Sequence, residues 1–165
     1  MSESAGRAEQ GAQAPAALRA VLDDLDLFPD RADRIQMLIS IAERFRPVPE
    51  SIAQRPYGCE HRVPACESDA YVWVIPQGDG TLKLHFAVEN PQGISAKCLA
   101  VILEEGLSGQ PLAQVAAVGP DIVYRIFGNE LSMGKSMGLT ALVSMVQNAA
   151  RRAAASAGDE AALTG

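Results

Sequence analysis

Tyr71-Val72-Trp73-Val74-Ile75, then Gly78-Asp79-Gly80, then Leu82-Lys83-Leu84-His85-Phe86-Ala87-Val88 decide the fold. The first run is built of β-branched and aromatic residues, which suit a pleated surface. The Gly-Asp-Gly segment supplies the positive φ angles of a tight turn. In the last run Leu82, Leu84, Phe86 and Val88 alternate with other residues, the period of a strand with one buried face. An antiparallel hairpin follows, with His85 on its solvent face.

Helical spacing surrounds the hairpin. Leu18, Val21, Leu22 and Leu25 share one face, and a second helix runs from about residue 31 to 44, with Ile35, Leu38, Ile41, Ala42 and Phe45 aligned. Asp30 is its expected N-cap, and Pro47 and Pro49 end it. Downstream, Ile94, Cys98, Val101 and Ile102 form a stripe that stops near Gly106, and a short helix spans residues 111–117. A last helix from about Ser136 aligns Leu139, Leu142, Val143, Val146 and Ala150. The expected class is α+β: a small antiparallel sheet of about three strands flanked by helices.

A single domain over residues 15–154 is expected, preceded by a disordered segment 1–14 and followed by a disordered tail 155–165, both small and polar. With 165 residues, 48% hydrophobic and 21% charged, the chain has the composition of a globular domain. Its net charge of −6 disfavours nucleic acid and anionic membrane surfaces. No apolar run approaches the ~20 residues of a spanning helix, and the first residues lack a signal-peptide core. A cytoplasmic setting, where thiols stay reduced, is the expectation.

Residues 50–65 follow neither period and contain Pro56, Gly58 and Pro64, so they read as a long shaped loop, uncommon in a small domain unless it serves a function. Cys66 ends this loop immediately before the first strand. A reactive thiol must be reachable yet held on a rigid base, and that position meets both needs. An ordinary buried cysteine is equally compatible with the position. Cys98, on an apolar stripe, reads as core. Cys59 and His61 bring potential ligands close to Cys66, but a structural zinc site needs four ligands and usually paired cysteines at C-x₂₋₄-C spacing. No metal or cofactor is expected, and no phosphate-binding glycine motif is present. Cys59 reads as a partly exposed loop thiol with no essential role, with reversible closure to a Cys59–Cys66 disulfide also open.

Val63-Pro64-Ala65-Cys66-Glu67-Ser68-Asp69-Ala70-Tyr71 resembles the V-P-G-C-x-S-x-V-W loop of the SufE family. Asp33-Arg34-Ile35-Gln36-Met37-Leu38-Ile39 with Pro47-Val48-Pro49, Ala96-Lys97-Cys98-Leu99-Ala100-Val101-Ile102-Leu103 and Leu131-Ser132-Met133-Gly134-Lys135-Ser136-Met137-Gly138-Leu139 resemble further family segments in the same order. Ala65 stands where the family has glycine; if that position needs φ > 0, alanine costs about 1 kcal/mol and the loop takes another shape. Lys135 stands where the family has arginine, keeping the charge but losing the bidentate fork. Gln92 replaces a usual acidic residue.

The resemblance implies a sulfur acceptor rather than an enzyme. Cys66 would take persulfide sulfur from a SufS-type cysteine desulfurase, stimulate that partner, and pass sulfur toward a SufBCD-type scaffold for iron–sulfur cluster assembly. Ser68, Lys135, His61 and Cys59 are the candidate supporting residues. A homodimer fits descriptions of the family. Two other readings compete: a NifU/IscU-type scaffold holding a cluster on three cysteines, and an interaction module whose cysteines are incidental.

Overall fold

A computed structural model describes residues 14–129 and 131–163, with side chains through residue 158. The expected irregular segment 1–14 lies, apart from Ala14, outside the described residues. Six helices and one hairpin follow in the order α1 (Ala16–Asp26), α2 (Arg31–Ala42), β1 (Ala70–Pro76), β2 (Leu82–Val88), α3 (Ile94–Leu107), α4 (Leu112–Ala116), α5 (Ile122–Phe127) and α6 (Met133–Leu163). A 3-10 turn, Cys59–His61, lies in the loop before β1.

The hairpin forms as expected. Ala70 pairs with Val88 at one end and Pro76 with Leu82 at the other. Gly80 sits at φ 83°, and the Asp79 carboxylate accepts bonds from the Thr81 amide at 3.1 Å and hydroxyl at 2.6 Å. These bonds hold the Asp79 carboxyl below its usual pKa. The sheet has two strands rather than about three among the described residues. Where a third would lie, pairing shrinks to the single bridge Arg62↔Tyr71 and the Val63 amide on the Ala70 carbonyl at 2.8 Å. Pro64 has no N–H to extend that ladder.

One face of the sheet, with Ala70, Val72, Leu82, Leu84 and Phe86, joins the main core beside α1, α3 and α6. The opposite face does not lie open. Trp73 and Ala87 form a second cluster with Val48, against which Ala53, Tyr57, Tyr71 and Ile75 pack. The long loop is therefore a cover for the back of the hairpin. Tyr57 meets Trp73 edge-on at 5.1 Å, and His61 stacks on Trp73 at 4.9 Å. Such ring pairs contribute about 0.5–1.5 kcal/mol each beyond their buried area. The Arg55–Glu89 pair over the same cover, N to O 2.9 Å, is solvent-exposed and adds little beside the rings. His85, opposite Trp73, is on this covered side and half-buried; burial first, then the Lys83 charge, lowers its pKa.

Several expectations shift at element ends. Ile35 (42% exposed), in the second turn of α2, and Ile94 (50% exposed), the first residue of α3, lie outside the core, although both fit an apolar stripe. Asp30 occupies the N-cap position without a side-chain capping bond. The final helix starts at Met133, three residues early, with the Ser132 hydroxyl accepting the Lys135 amide at 3.3 Å. It then continues to Leu163, so residues 155–163 are helical and not an irregular tail. Their alanine-rich sequence has high helix propensity.

Arg34 ties three elements together. Its guanidinium donates to the Leu25 carbonyl at 3.0 Å, to Arg125 at 2.6 Å and to Ile126 at 3.2 Å, at the C-terminal ends of α1 and α5. Those carbonyls lie in the last turn of each helix, where regular intrahelical donors run out, and the charge complements both helix dipoles. Arg34→Ala is expected to lower unfolding free energy by about 2–3 kcal/mol in urea titration, with Arg34→Lys recovering only part. An unchanged urea midpoint in Arg34→Ala would show that water replaces all these bonds.

Candidate functional site

Cys66 is half-buried on a tight turn between the 3-10 segment and β1. The turn is unusually well bonded for a loop. Five successive carbonyls accept hydrogen bonds: Cys66 from the Asp69 amide, Glu67 from the Asn90 side chain, Ser68 from the Asn90 amide, Asp69 from the Glu89 amide, and Ala70 from the Val63 amide. Arg62 spans the turn to Asp69 at 2.8 Å. Reversal in so few residues requires left-handed backbone, and both Ala65 (φ 56°) and Asp69 (φ 48°) adopt it. The turn thus keeps the conformation that suits glycine, with alanine bearing the strain, rather than taking another shape.

The last helix supplies the floor. A Cβ at Gly138 would lie 3.0 Å from Cys66 Cα and 3.3 Å from both the Ala65 carbonyl oxygen and Cys66 Cβ. A glycine lets the α6 backbone come this near without displacing the turn, whereas any side chain would press it back by a few tenths of an ångström. One turn earlier, a Cβ at Gly134 would meet the Glu67 carboxylate at 2.8 Å. That neighbour is a flexible side-chain end, whereas backbone stands against Gly138.

Beside the turn is an open pocket of about 530 Å³ lined by Cys59, Arg62, Val63, Pro64, Ala65, Cys66 and Glu67. Cys59 is exposed, so two cysteines of different exposure line this pocket together with Arg62, whose guanidinium is paired with Asp69. The other proposed supporting residues, Ser68, Lys135 and His61, are not among the residues that line it. Ser68 packs with its Cβ 3.0 Å from where a Cβ at Gly93 would be. Lys135 is on the exposed side of the first α6 turn. His61 stacks on Trp73, with Nδ1 3.0 Å from the Val72 carbonyl, so it holds the 3-10 turn against β1.

Residues 19–150 match the family described as "SufE: Fe-S metabolism associated domain". The chain belongs to the SufE family. The α+β fold is that of a solved relative, a hypothetical protein from Thermus thermophilus known from a solution structure. It has 27% sequence identity and a TM-score of 0.67, over 86% of this chain and 98% of that chain. No curated protein is significantly similar to the chain. Membership places the protein in iron–sulfur metabolism. No helix among the described residues is long and apolar enough to cross a membrane.

Sequence reasoning missed Arg62, Asn90 and the reason for Gly138. Asn90-Pro91 is a turn dipeptide, a usable signal, and the Asn90 side chain both donates to Glu67 and accepts the Gln92 amide. Gly138 could be placed on a helix, but its neighbour is 72 residues away and has no local signature.

Cys98 is 1% exposed inside the core, as its stripe implied. The three cysteines therefore do not converge, and among the described residues no group of three His, Cys, Asp or Glu side chains is arranged to hold a metal ion. Burial pushes the Cys98 thiol from an ordinary 9.0 up to about 12, although the Arg44 charge opposes the shift.

Two outcomes follow from this geometry. Ala65→Gly should raise unfolding free energy by about 0.5–1 kcal/mol, the relief at positive φ exceeding the added entropy of the unfolded chain. An unmoved or lowered urea midpoint contradicts the strain at Ala65. For Cys98, both folded and unfolded chains keep the proton below pH 9.0, while between 9.0 and about 12 only the unfolded chain loses it. Stability contributed by this group is thus fully present below pH 9.0 and falls as pH rises, by up to about 1.4 kcal/mol per unit. Alkaline urea titrations of the native chain should show a steeper loss than those of Cys98→Ala; parallel pH profiles exclude the contribution.

Proposed function

We propose that the protein is a persulfide-sulfur acceptor and carrier for a SufS-type cysteine desulfurase, with Cys66 as the acceptor. The observation that carries this reading is the Cys66 turn itself. It is half-buried, braced by five carbonyl hydrogen bonds and by the α6 backbone, yet open to a pocket on one side. A thiol so held is protected from random oxidants and pre-positioned for a visiting sulfur.

In the proposed step the Cys66 thiolate attacks the outer sulfur of a persulfide on the partner's cysteine. The partner's S–S bond breaks, its thiolate leaves, and a new S–S bond leaves Cys66 as a persulfide. Electrons balance without an oxidant, and the proton lost by Cys66 is available to the departing thiolate. Carbon–sulfur cleavage belongs to the partner and its pyridoxal phosphate, so this chain needs only to receive, shield and release sulfur. Arg62, lining the pocket, supplies positive charge beside the anionic persulfide, a role that sequence position alone suggests for His61. Met133 (80% exposed) and Met137 (53% exposed) flank Gly134 on α6 and offer soft apolar contacts to a docking protein. Delivery to a SufBCD-type scaffold in the cytoplasm completes the reading.

The scaffold alternative requires three cysteines at one centre, and the burial of Cys98 weighs against it.

With a cysteine desulfurase and free cysteine, the wild-type protein should raise sulfide release in the presence of reductant. Without reductant it should gain ~32 Da on the Cys66 peptide. Cys66→Ser should lose both effects while retaining its fold by circular dichroism. Full stimulation by Cys66→Ser would end the acceptor assignment.

A further inference from the structure

Cys59 is the reactive group in the pocket that the acceptor step leaves unused. Its exposure exceeds that of Cys66, and the same pocket walls surround both. Their shared position has a local cause. Cys59 opens the 3-10 turn, whose end is closed by the His61 amide on the Gly58 carbonyl at 3.1 Å and the Arg62 amide on the Cys59 carbonyl at 3.2 Å. His61 then binds that turn to β1 through the Val72 carbonyl and the Trp73 ring. One residue later Arg62 and Val63 pair with Tyr71 and Ala70. Both turns are thereby pinned to the start of one strand, with Cys59 on one and Cys66 on the other. Arg62 stands between them in sequence and lines the same pocket.

Resting on the acceptor reading of Cys66, we infer that Cys59 is a second, outward-facing sulfur carrier that takes the sulfane sulfur from Cys66 within this pocket. The α6 backbone at Gly138 closes one side of Cys66, so a sulfur added there extends toward the open pocket that Cys59 lines. The Cys59 thiolate attacks that outer sulfur. The Cys66 S–S bond breaks, an S–S bond forms on Cys59, and the Cys66 thiolate takes up the proton that Cys59 lost. The exchange is redox-neutral and needs no added reagent. Transfer moves sulfur from a half-buried site to an exposed one and frees Cys66 for another turnover.

Site-resolved mass spectrometry after incubation with a cysteine desulfurase and cysteine tests the relay. In wild type, ~32 Da should appear first on the Cys66 peptide and then on the Cys59 peptide. Cys66→Ser should leave Cys59 unloaded, and Cys59→Ser should hold sulfur on Cys66 for several-fold longer. Cys66 loaded in wild type with Cys59 never loaded overturns the relay alone. So does equal loading of Cys59 in Cys66→Ser, which means direct delivery. A Cys59–Cys66 disulfide formed with sulfide release, seen as a loss of ~2 Da, also overturns it, because attack then falls on the inner sulfur. If Cys66 itself never gains sulfur, the acceptor reading fails and the relay with it.

Discussion

The approach of the α6 backbone to the Cys66 turn is the constraint on which the site depends. Gly138 has no side chain, so the helix lies against Ala65 and Cys66 at a separation where a Cβ would crowd the turn. The turn must then reverse within a few residues over a flat helical floor. That demand explains the left-handed conformations at Ala65 and Asp69. It also explains why the carbonyls above the floor are bonded laterally, to Asn90, Glu89 and Val63, since the helix has no free backbone donors there. Rigidity at Cys66 thus comes from close packing on one side and hydrogen bonding on another. The remaining side is the pocket.

The same division of labour governs the hairpin. Two strands alone are marginal in water, and a two-stranded sheet normally leaves one face wet. Here helices cover one face and the loop after α2 covers the other, through Val48, Tyr57 and the stacked His61. Proline explains why the cover never becomes a strand. Pro47, Pro49, Pro56 and Pro64 remove amides along its length. Single bonds still form, as from the Val48 amide to the Phe86 carbonyl at 2.8 Å. A loop so tied can carry chemistry without the mobility usual for loops.

Local periodicity makes most of this fold legible: the hairpin, α1, α3 and the apolar stripe of α6 are where their spacing puts them. Failures cluster where position is set by distant contact. Ile35 and Ile94 fit helical stripes, yet each belongs to the first two turns of its helix, beyond the reach of the core. Helix α5 leaves no periodic signal because it is one and a half turns long and follows Gly119-Pro120. The irregularity of residues 50–65 points to a function, but not to their shielding of Trp73. Around the pocket, the loop position of Cys66 leaves a reactive and a buried thiol equally open, and Arg62 draws no notice beside His61. Both are basic neighbours in sequence, and only the folded chain separates them, one ring stacked on Trp73 and the other side chain lining the pocket.

Burial sorts the three thiols more sharply than sequence spacing could. Cys98, in the core with Leu99, Ile102 and their neighbours, is closed to solvent, and burial favours its neutral thiol over the thiolate that a nucleophile or ligand needs. Cys66 is half-buried, which suits a group that must store a labile sulfur between encounters. Cys59 is exposed, which suits exchange with another protein but not storage. A carrier has two opposed requirements, shelter while loaded and access while transferring. One thiol can meet both only by moving. Two thiols on fixed turns around one pocket can divide them, with sulfur rather than protein making the movement.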